Sequence, residues 1–238
     1  MAPDSHFRIT TMSGALTKDV WVLDPEDVQE TWTPTFDGGP IAIQRVATLA
    51  PRVADNLYWF GRYTERADGT VRLLRLAVDL AQDHSRSPAS RGGQVLAAVL
   101  AAGEGITDLD LSSRDVGGAL KRLRPAVVDG TARGSVAHAI RRLTEAAQEV
   151  PDIMSSDLWH VLSQLNRLLG EAGKRRDLAG VLDDLVAGTL AVAGINNESL
   201  TRDVTWAFVD AGVRIERAQR MLAVVEHTLG ADRAAVVE

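Results

Sequence analysis

The strongest constraint on this chain is a short phrase that occurs twice. Residues 61–67 read GRYTERA and residues 212–218 read GVRIERA, so that Gly61, Glu65, Arg66 and Ala67 recur as Gly212, Glu216, Arg217 and Ala218, 151 positions later. The apolar residues around the phrase recur at the same offset. Val53, Leu57, Phe60, Thr64, Ala67, Val71, Leu74 and Val78 match Val204, Phe208, Ala211, Ile215, Ala218, Leu222, Val225 and Leu229. Alternating steps of four and three place each set on one face of a long helix. The Glu-Arg pair occupies the two positions between stripe residues in both copies. The chain is therefore expected to carry two long, related helices, one near each end, with Glu and Arg at equivalent places.

Composition narrows what surrounds those helices. A chain of 238 residues can bury a full core as one domain or two small ones. Aromatic residues make up 5%, so the core is built mainly of Ala, Val and Leu, which suits packed helices. The net charge of −6 argues against a broad nucleic-acid surface. There is no cysteine, which excludes disulfides, thiolate nucleophiles, iron–sulfur clusters and Cys-ligated zinc. The N-terminus MAPDSHFRITTMSG lacks the basic-then-apolar pattern of a signal peptide. No run of about 18 consecutive apolar residues occurs, so no membrane span is expected and the reading is cytoplasmic.

Residues 1–46 read as an N-terminal arm and linker. Thr10, Thr11, Thr17, Val20, Trp21 and Val22 favour extended backbone, and TWTPTFDGGP (31–40) reads as a loop. Val20-Trp21-Val22 suggests one short strand or a docking arm. From residue 47 onward the pattern is helical. A first helix, capped by Thr48 and begun at Pro51, is expected to run to about Gln82. Others are expected over 94–102, ended by Gly103 and Gly105; from Ser112 or Ser113 to about Arg124, stopped by Pro125; over 131–150; from a Ser155-Ser156-Asp157 cap to about Gly170; over 175–193; and over 199–229 after a break at Asn196-Asn197, with Gly230 beyond. The expected fold is an all-α bundle of six or seven helices.

Neighbouring helical positions point about 100° apart, so Glu65 cannot easily pair with Arg66. Packing of the two long helices would let Glu65 reach Arg217 and Glu216 reach Arg66. Arg62, three residues before Glu65, and Arg220, four after Glu216, are further partners, and Asp68 with Arg72 forms an i,i+4 pair. One reading makes this a buried ionic network that sets helix register. The other makes it a pocket whose Arg forks grip a carboxylate or polyanion while Glu grips an amine or metal. No metal motif supports the last option: the five histidines are scattered, and only Asp157 and His160 share a face. Neither a P-loop, a dinucleotide fingerprint nor a nucleophile elbow is present. Trp59, Trp159 and Trp206 sit at helical positions and are expected in the core.

APRVADNLYWFGRYTERADGTVRLL (50–74) resembles the opening of the alpha-E domain, an all-helical bacterial domain named for its Glu-Arg motif. SSDLW (155–159) resembles the family's middle Ser-Ser-Glu-x-Trp phrase, with Asp157 in place of Glu. ESLTRDVTWAFVDAGVRIERA (198–218) resembles its C-terminal signature, which brings Arg202 beside Glu216 and Arg217. Residues 127–153 depart from the family's Ala-Arg-Glu-Asn phrase. Residues 12–23, MSGALTKDVWVL, resemble the closing segment of a circularly permuted ATP-grasp domain. The resemblance implies an arm (1–46) followed by an alpha-E helical domain (47–238). It implies association with an ATP-grasp ligase, fused or separate, and with transglutaminase-like proteases, in amide or peptide bond synthesis. ATP and Mg would be bound by the ATP-grasp partner, with no cofactor in this chain. The ligand-binding set expected on this basis is Arg62, Glu65, Arg66, Arg202, Glu216 and Arg217. The domain would dock the ligase or present substrate, and it could form oligomers. Two alternatives stand beside this: an enzyme using Glu65 and Glu216 as acid and base, and a purely structural scaffold.

Overall fold

In the computed structural model the described residues are 49–84, 86–107, 109–111, 118–200 and 202–229. The chain divides into two units, residues 1–46 and 47–238. The arm, its expected strand and loop, the likeness to an ATP-grasp tail, and the expected caps at Thr48, Ser112 and Ser113 lie outside the described residues. So does Gly230.

All regular structure among the described residues is helical. Seven α-helices follow in order: α1 Pro51–His84, α2 Arg91–Thr107, α3 Ala119–Val128, α4 Val136–Gln148, α5 Ser156–Ala172, α6 Leu178–Ser199 and α7 Val204–Leu229, with a 3-10 turn at Pro151–Ile153. The 34-residue α1 is the centre of the bundle and packs against α2, α3, α4, α6 and α7. Its expected stripe is its core face: Leu57, Phe60, Ala67, Val71 and Val78 are fully buried, with Leu74 nearly so. Caps hold several helix starts. The Ser155 hydroxyl accepts from Leu158 N, Ser135 from His138 N and Asp177 from Gly180 N. Each satisfies one of the unpaired N–H groups of a first turn.

Several expected boundaries move. The helix α2 runs through Gly103 and Gly105, whose missing side chains are used for packing. A Cβ on Gly103 would meet Leu111 at 3.0 Å, and one on Gly105 would meet the His227 ring at 2.4 Å. Pro125 lies inside α3 instead of stopping it. Its ring forfeits one backbone bond. Burial of Ala126 and Val127 and the 2.9 Å bond from Asp129 N to Pro125 O carry the helix one turn further. The start of α4 falls at Val136, because Asp129 folds the preceding chain by accepting from both the amide and the hydroxyl of Thr131. The Asn196-Asn197 pair sits within α6. The chain turns after Ser199, where buried Leu200 takes extended backbone angles, and α7 starts at Val204 behind the Asp203 carboxylate, which accepts from Thr205 N and Trp206 N.

By length and composition α6 is the one described helix that could cross a membrane, with a mean hydropathy of 1.7 over its most apolar window. In the fold it packs against α1 and α5, burying Leu178, Val181, Leu182, Leu185, Thr189 and Val192. Of its three carboxylates, Asp183 pairs with Arg75 and Asp184 with Arg175.

The two matched stripes meet different surroundings. The spacing placed each on one face of its helix without saying where that face points. On α7, Val204, Phe208, Ala211, Ile215, Ala218, Leu222 and Val225 are all exposed, with 70% of Leu222 open to solvent. The reason is the way the repeats pair. Contacts between α1 and α7 keep a nearly constant sequence difference: Tyr58 and Arg62 meet Gly212, Gly61 meets Val209, Glu65 meets Arg217, Arg66 meets Glu216 and Gly69 meets Arg220. The two helices therefore run side by side in the same direction and in register. They are related by a pseudo-two-fold axis between them. Such an axis turns equivalent faces in opposite directions. The α1 stripe faces the rest of the bundle, and the α7 stripe faces away from it.

Candidate functional site

The repeat phrases build the contact between α1 and α7. Gly61 lets the helices touch: a Cβ there would stand 2.1 Å from the Val209 carbonyl oxygen. Its counterpart Gly212 does the same, with a Cβ 2.2 Å from the Tyr58 carbonyl oxygen. One turn beyond this close approach, the Glu-Arg pairs cross over. Arg217 donates Nε and Nη2 to the two oxygens of Glu65 at 3.2 and 2.8 Å. Arg66 donates Nε and Nη2 to those of Glu216 at 2.6 and 2.8 Å. These are the reciprocal pairs expected from the sequence, each a two-point fork.

Each carboxylate also holds a second arginine, and here the symmetry breaks. Glu216 accepts from Arg62 Nε at 2.5 Å, and Arg62 further donates to Gln219 Oε1 and to the Tyr58 hydroxyl. Glu65 takes Arg220, whose Nη2 donates to the carboxylate and whose Nη1 donates to the Glu65 backbone carbonyl at 2.8 Å. The pseudo-two-fold equivalent of Arg220 is Gly69, and Arg220 fills the space Gly69 leaves open: a Cβ there would fall 1.2 Å from its Nη1. Arg62 and Arg220 thus serve the carboxylates of the opposite helices, not those on their own faces.

Both carboxylates are buried, with side-chain exposures of 7% for Glu65 and 10% for Glu216. Burial works to raise the Glu216 carboxyl, but the hydrogen bonds and charges of Arg66 and Arg62 outweigh it and hold the group below its ordinary range. Glu216 is therefore an anion at neutral pH.

Of the residues singled out from the sequence, Arg62, Glu65, Arg66, Glu216 and Arg217 meet at this interface. Arg202 stands apart from it, exposed, with its guanidinium 4.5 Å from the Trp206 ring centroid. Of the tryptophans, Trp159 and Trp206 are half-buried and pack on the core as expected, and Trp206 also forms part of a cavity wall; Trp59 differs, being 36% exposed and stacked on Tyr63.

Two open cavities flank the network. One, of about 410 Å³, lies between α1, α6 and α7 and has Glu65 and Arg217 in its wall, together with Asp68, Asn196, Trp206 and Asp210. Asp68 is held there by Arg72 at 2.8 Å and by the Thr189 hydroxyl at 2.9 Å. The second, of about 340 Å³, has Arg66, Arg133, Glu216, Gln219 and Arg220 in its wall. Sequence reasoning missed Gln219, Asn196 and Arg133 as site residues. No local pattern marks them, since they reach the cavities only through the pairing of distant elements.

Two mycobacterial proteins are similar to this chain over 94% of its length: Uncharacterized protein Rv2567 of Mycobacterium tuberculosis and Uncharacterized protein Mb2597 of Mycobacterium bovis, each 29% identical over 244 residues. The chain spans 28% of the length of these relatives. No solved structure matches it. Residues 49–238 match the model of the Alpha-E family, described as a predicted alpha-helical domain with a conserved ER motif. The Glu-Arg pairs crossed between α1 and α7 are that motif in three dimensions, and the chain belongs to the Alpha-E family.

Proposed function

We propose that this is a non-catalytic accessory domain, docked on an ATP-grasp ligase of the circularly permuted class and serving amide or peptide bond formation in the cytoplasm. The observation that carries the docking is the uncovered apolar stripe of α7. Seven apolar residues in a continuous helical row are rarely left in water without a partner. The pseudo-two-fold axis says what kind of partner suits them. The equivalent row on α1 is covered by helices of this chain, so the α7 row fits an apolar helical surface supplied from outside the described residues. Most of each mycobacterial relative lies beyond the matched region, which gives room for such a surface in one polypeptide. The resemblance of residues 12–23 to an ATP-grasp tail names the class of partner.

The Glu-Arg network supports a non-catalytic role. A general acid or base needs a proton to exchange near neutral pH. Glu65 and Glu216 are each held by two guanidiniums, and Glu216 is kept ionised. Phosphoryl chemistry, with ATP and Mg, would belong to the ligase. The cavity beside Glu65 and Arg217 offers carboxylates, two amides and two guanidiniums together, a set suited to presenting a small amine- or amide-bearing substrate.

The test is co-elution with a circularly permuted ATP-grasp protein from the same genome, on size exclusion at micromolar concentration. A complex that forms with the native chain and is lost with Ile215→Asp/Leu222→Asp supports the reading. Absence of any complex with the native chain, or equal binding by the double variant, overturns it.

A further inference from the structure

The second cavity differs from the first in charge. Its wall holds three guanidiniums, those of Arg66, Arg133 and Arg220, against the single carboxylate of Glu216. With the paired groups behind the wall included, Arg62, Arg66, Arg133 and Arg220 stand against Glu65 and Glu216, an excess of two positive charges in a chain whose net charge is −6. Arg133 is exposed and has no ion-pair or hydrogen-bond partner among the described residues. The other two retain unused donors. Arg66 gives Nε and Nη2 to Glu216, which leaves Nη1, and Arg220 gives Nη1 and Nη2 to Glu65, which leaves Nε.

The backbone is shaped to bring Arg133 to this place. A Cβ on its neighbour Gly134 would lie 1.9 Å from the Thr107 carbonyl oxygen, so only glycine lets the segment before α4 press against the end of α2. Gly105 opens the same wall where a side chain would strike His227.

We propose that this cavity is an anion site for a phosphoryl group. Guanidiniums bind phosphate oxygens through paired N–H donors, and an excess of more than one positive charge favours a dianion over a monocarboxylate. A volume of about 340 Å³ takes a phosphoryl group with a small organic portion attached. The site lies on the opposite side of the Glu-Arg network from the Asp68 cavity and does not depend on docking through α7.

Isothermal titration of the full chain with sodium phosphate at constant ionic strength, with sodium chloride as control, tests the site. The native chain binds phosphate saturably, and Arg133→Ala weakens binding by about tenfold or more, as expected for loss of a charge-assisted bond. Arg133→Lys retains part of the affinity as a point charge without the fork. Glycerol 3-phosphate separates the sources. Tighter binding than inorganic phosphate assigns the site to a phosphoryl group on a larger ligand, and equal binding assigns it to free phosphate. Arg133 is exposed and unpaired, so its replacement leaves the fold intact, and an unchanged melting curve verifies this. No saturable binding by the native chain, or an Arg133→Ala affinity within twofold of native, overturns the proposal.

Discussion

Gly61 rests on the carbonyl oxygen of Val209, and Gly212 rests on that of Tyr58, the residue 151 positions before Val209. Each helix offers its glycine to the other's backbone at equivalent points, which fixes both register and distance. A methyl group at either place meets backbone at little over 2 Å, and backbone cannot rotate away as a side chain can. Gly61→Ala and Gly212→Ala are expected to destabilise by about 1–3 kcal/mol each, despite the higher helix propensity of alanine. Because the first substitution already separates the helices, the double variant loses less than the sum. Urea denaturation followed by circular dichroism measures this. A gain in stability from either alanine would show that the close contact is not needed.

The crossed carboxylates make a second prediction. Removing one charge from a buried pair leaves guanidiniums facing no anion, which costs about 3–5 kcal/mol. Glu216→Gln is expected in that range, and Glu65→Gln at its lower end because 61% of the Arg217 side chain is exposed and rehydrates readily. The two effects are expected to be coupled, since both act through the same pair of helices. Losses below about 1 kcal/mol at both sites would show that the pairs do not hold the helices together.

Glu216 also ties stability to pH. Its folded carboxyl lies below its ordinary value because Arg66 and Arg62 outweigh the effect of burial. A lowered folded value means that the unfolded state binds the proton more readily. The contribution is therefore complete above the unfolded carboxylate range, near pH ~4.3, and is lost as pH falls through the folded value. The stability gap between the native chain and Glu216→Gln is expected to be constant from pH 8 to about pH 6 and to shrink below about pH 4.3. A gap that widens on acidification would contradict the assignment of the arginines as the dominant influence.

The sequence carried some of this arrangement and hid the rest for physical reasons. An all-α bundle of six or seven helices, the apolar stripe of α1 and the Glu65–Arg217 and Glu216–Arg66 pairs were legible, because spacing along a helix decides which residues share a face. Pro125, Gly103 and Asn196 were misread as breaks, because tertiary burial outweighs a local preference of about 1–3 kcal/mol. The direction of the α7 stripe was not legible. Two identical patterns say that two helices are alike, and only the symmetry of their packing says that one faces the bundle and the other faces out. The same holds for Arg133, whose position depends on how Gly134 meets Thr107.

That asymmetry between matched patterns makes the sharpest prediction. Leu74 on α1 and Leu222 on α7 occupy stripe positions of the same kind, yet Leu74 is 1% exposed and Leu222 is 70% exposed. Leu74→Ala opens a cavity in the core and is expected to cost about 2–5 kcal/mol. Leu222→Ala removes contact with water and is expected to change the stability of the isolated chain by no more than about 0.5 kcal/mol. If a partner covers α7, the order changes in its presence: Leu222→Ala then weakens the complex while leaving the free chain unaffected. Parallel melts of the two variants, alone and with the ATP-grasp protein, read both effects. A loss of several kcal/mol from Leu222→Ala in the isolated chain would mean that the α7 stripe is already buried within this polypeptide, and the docking role assigned to it would fail.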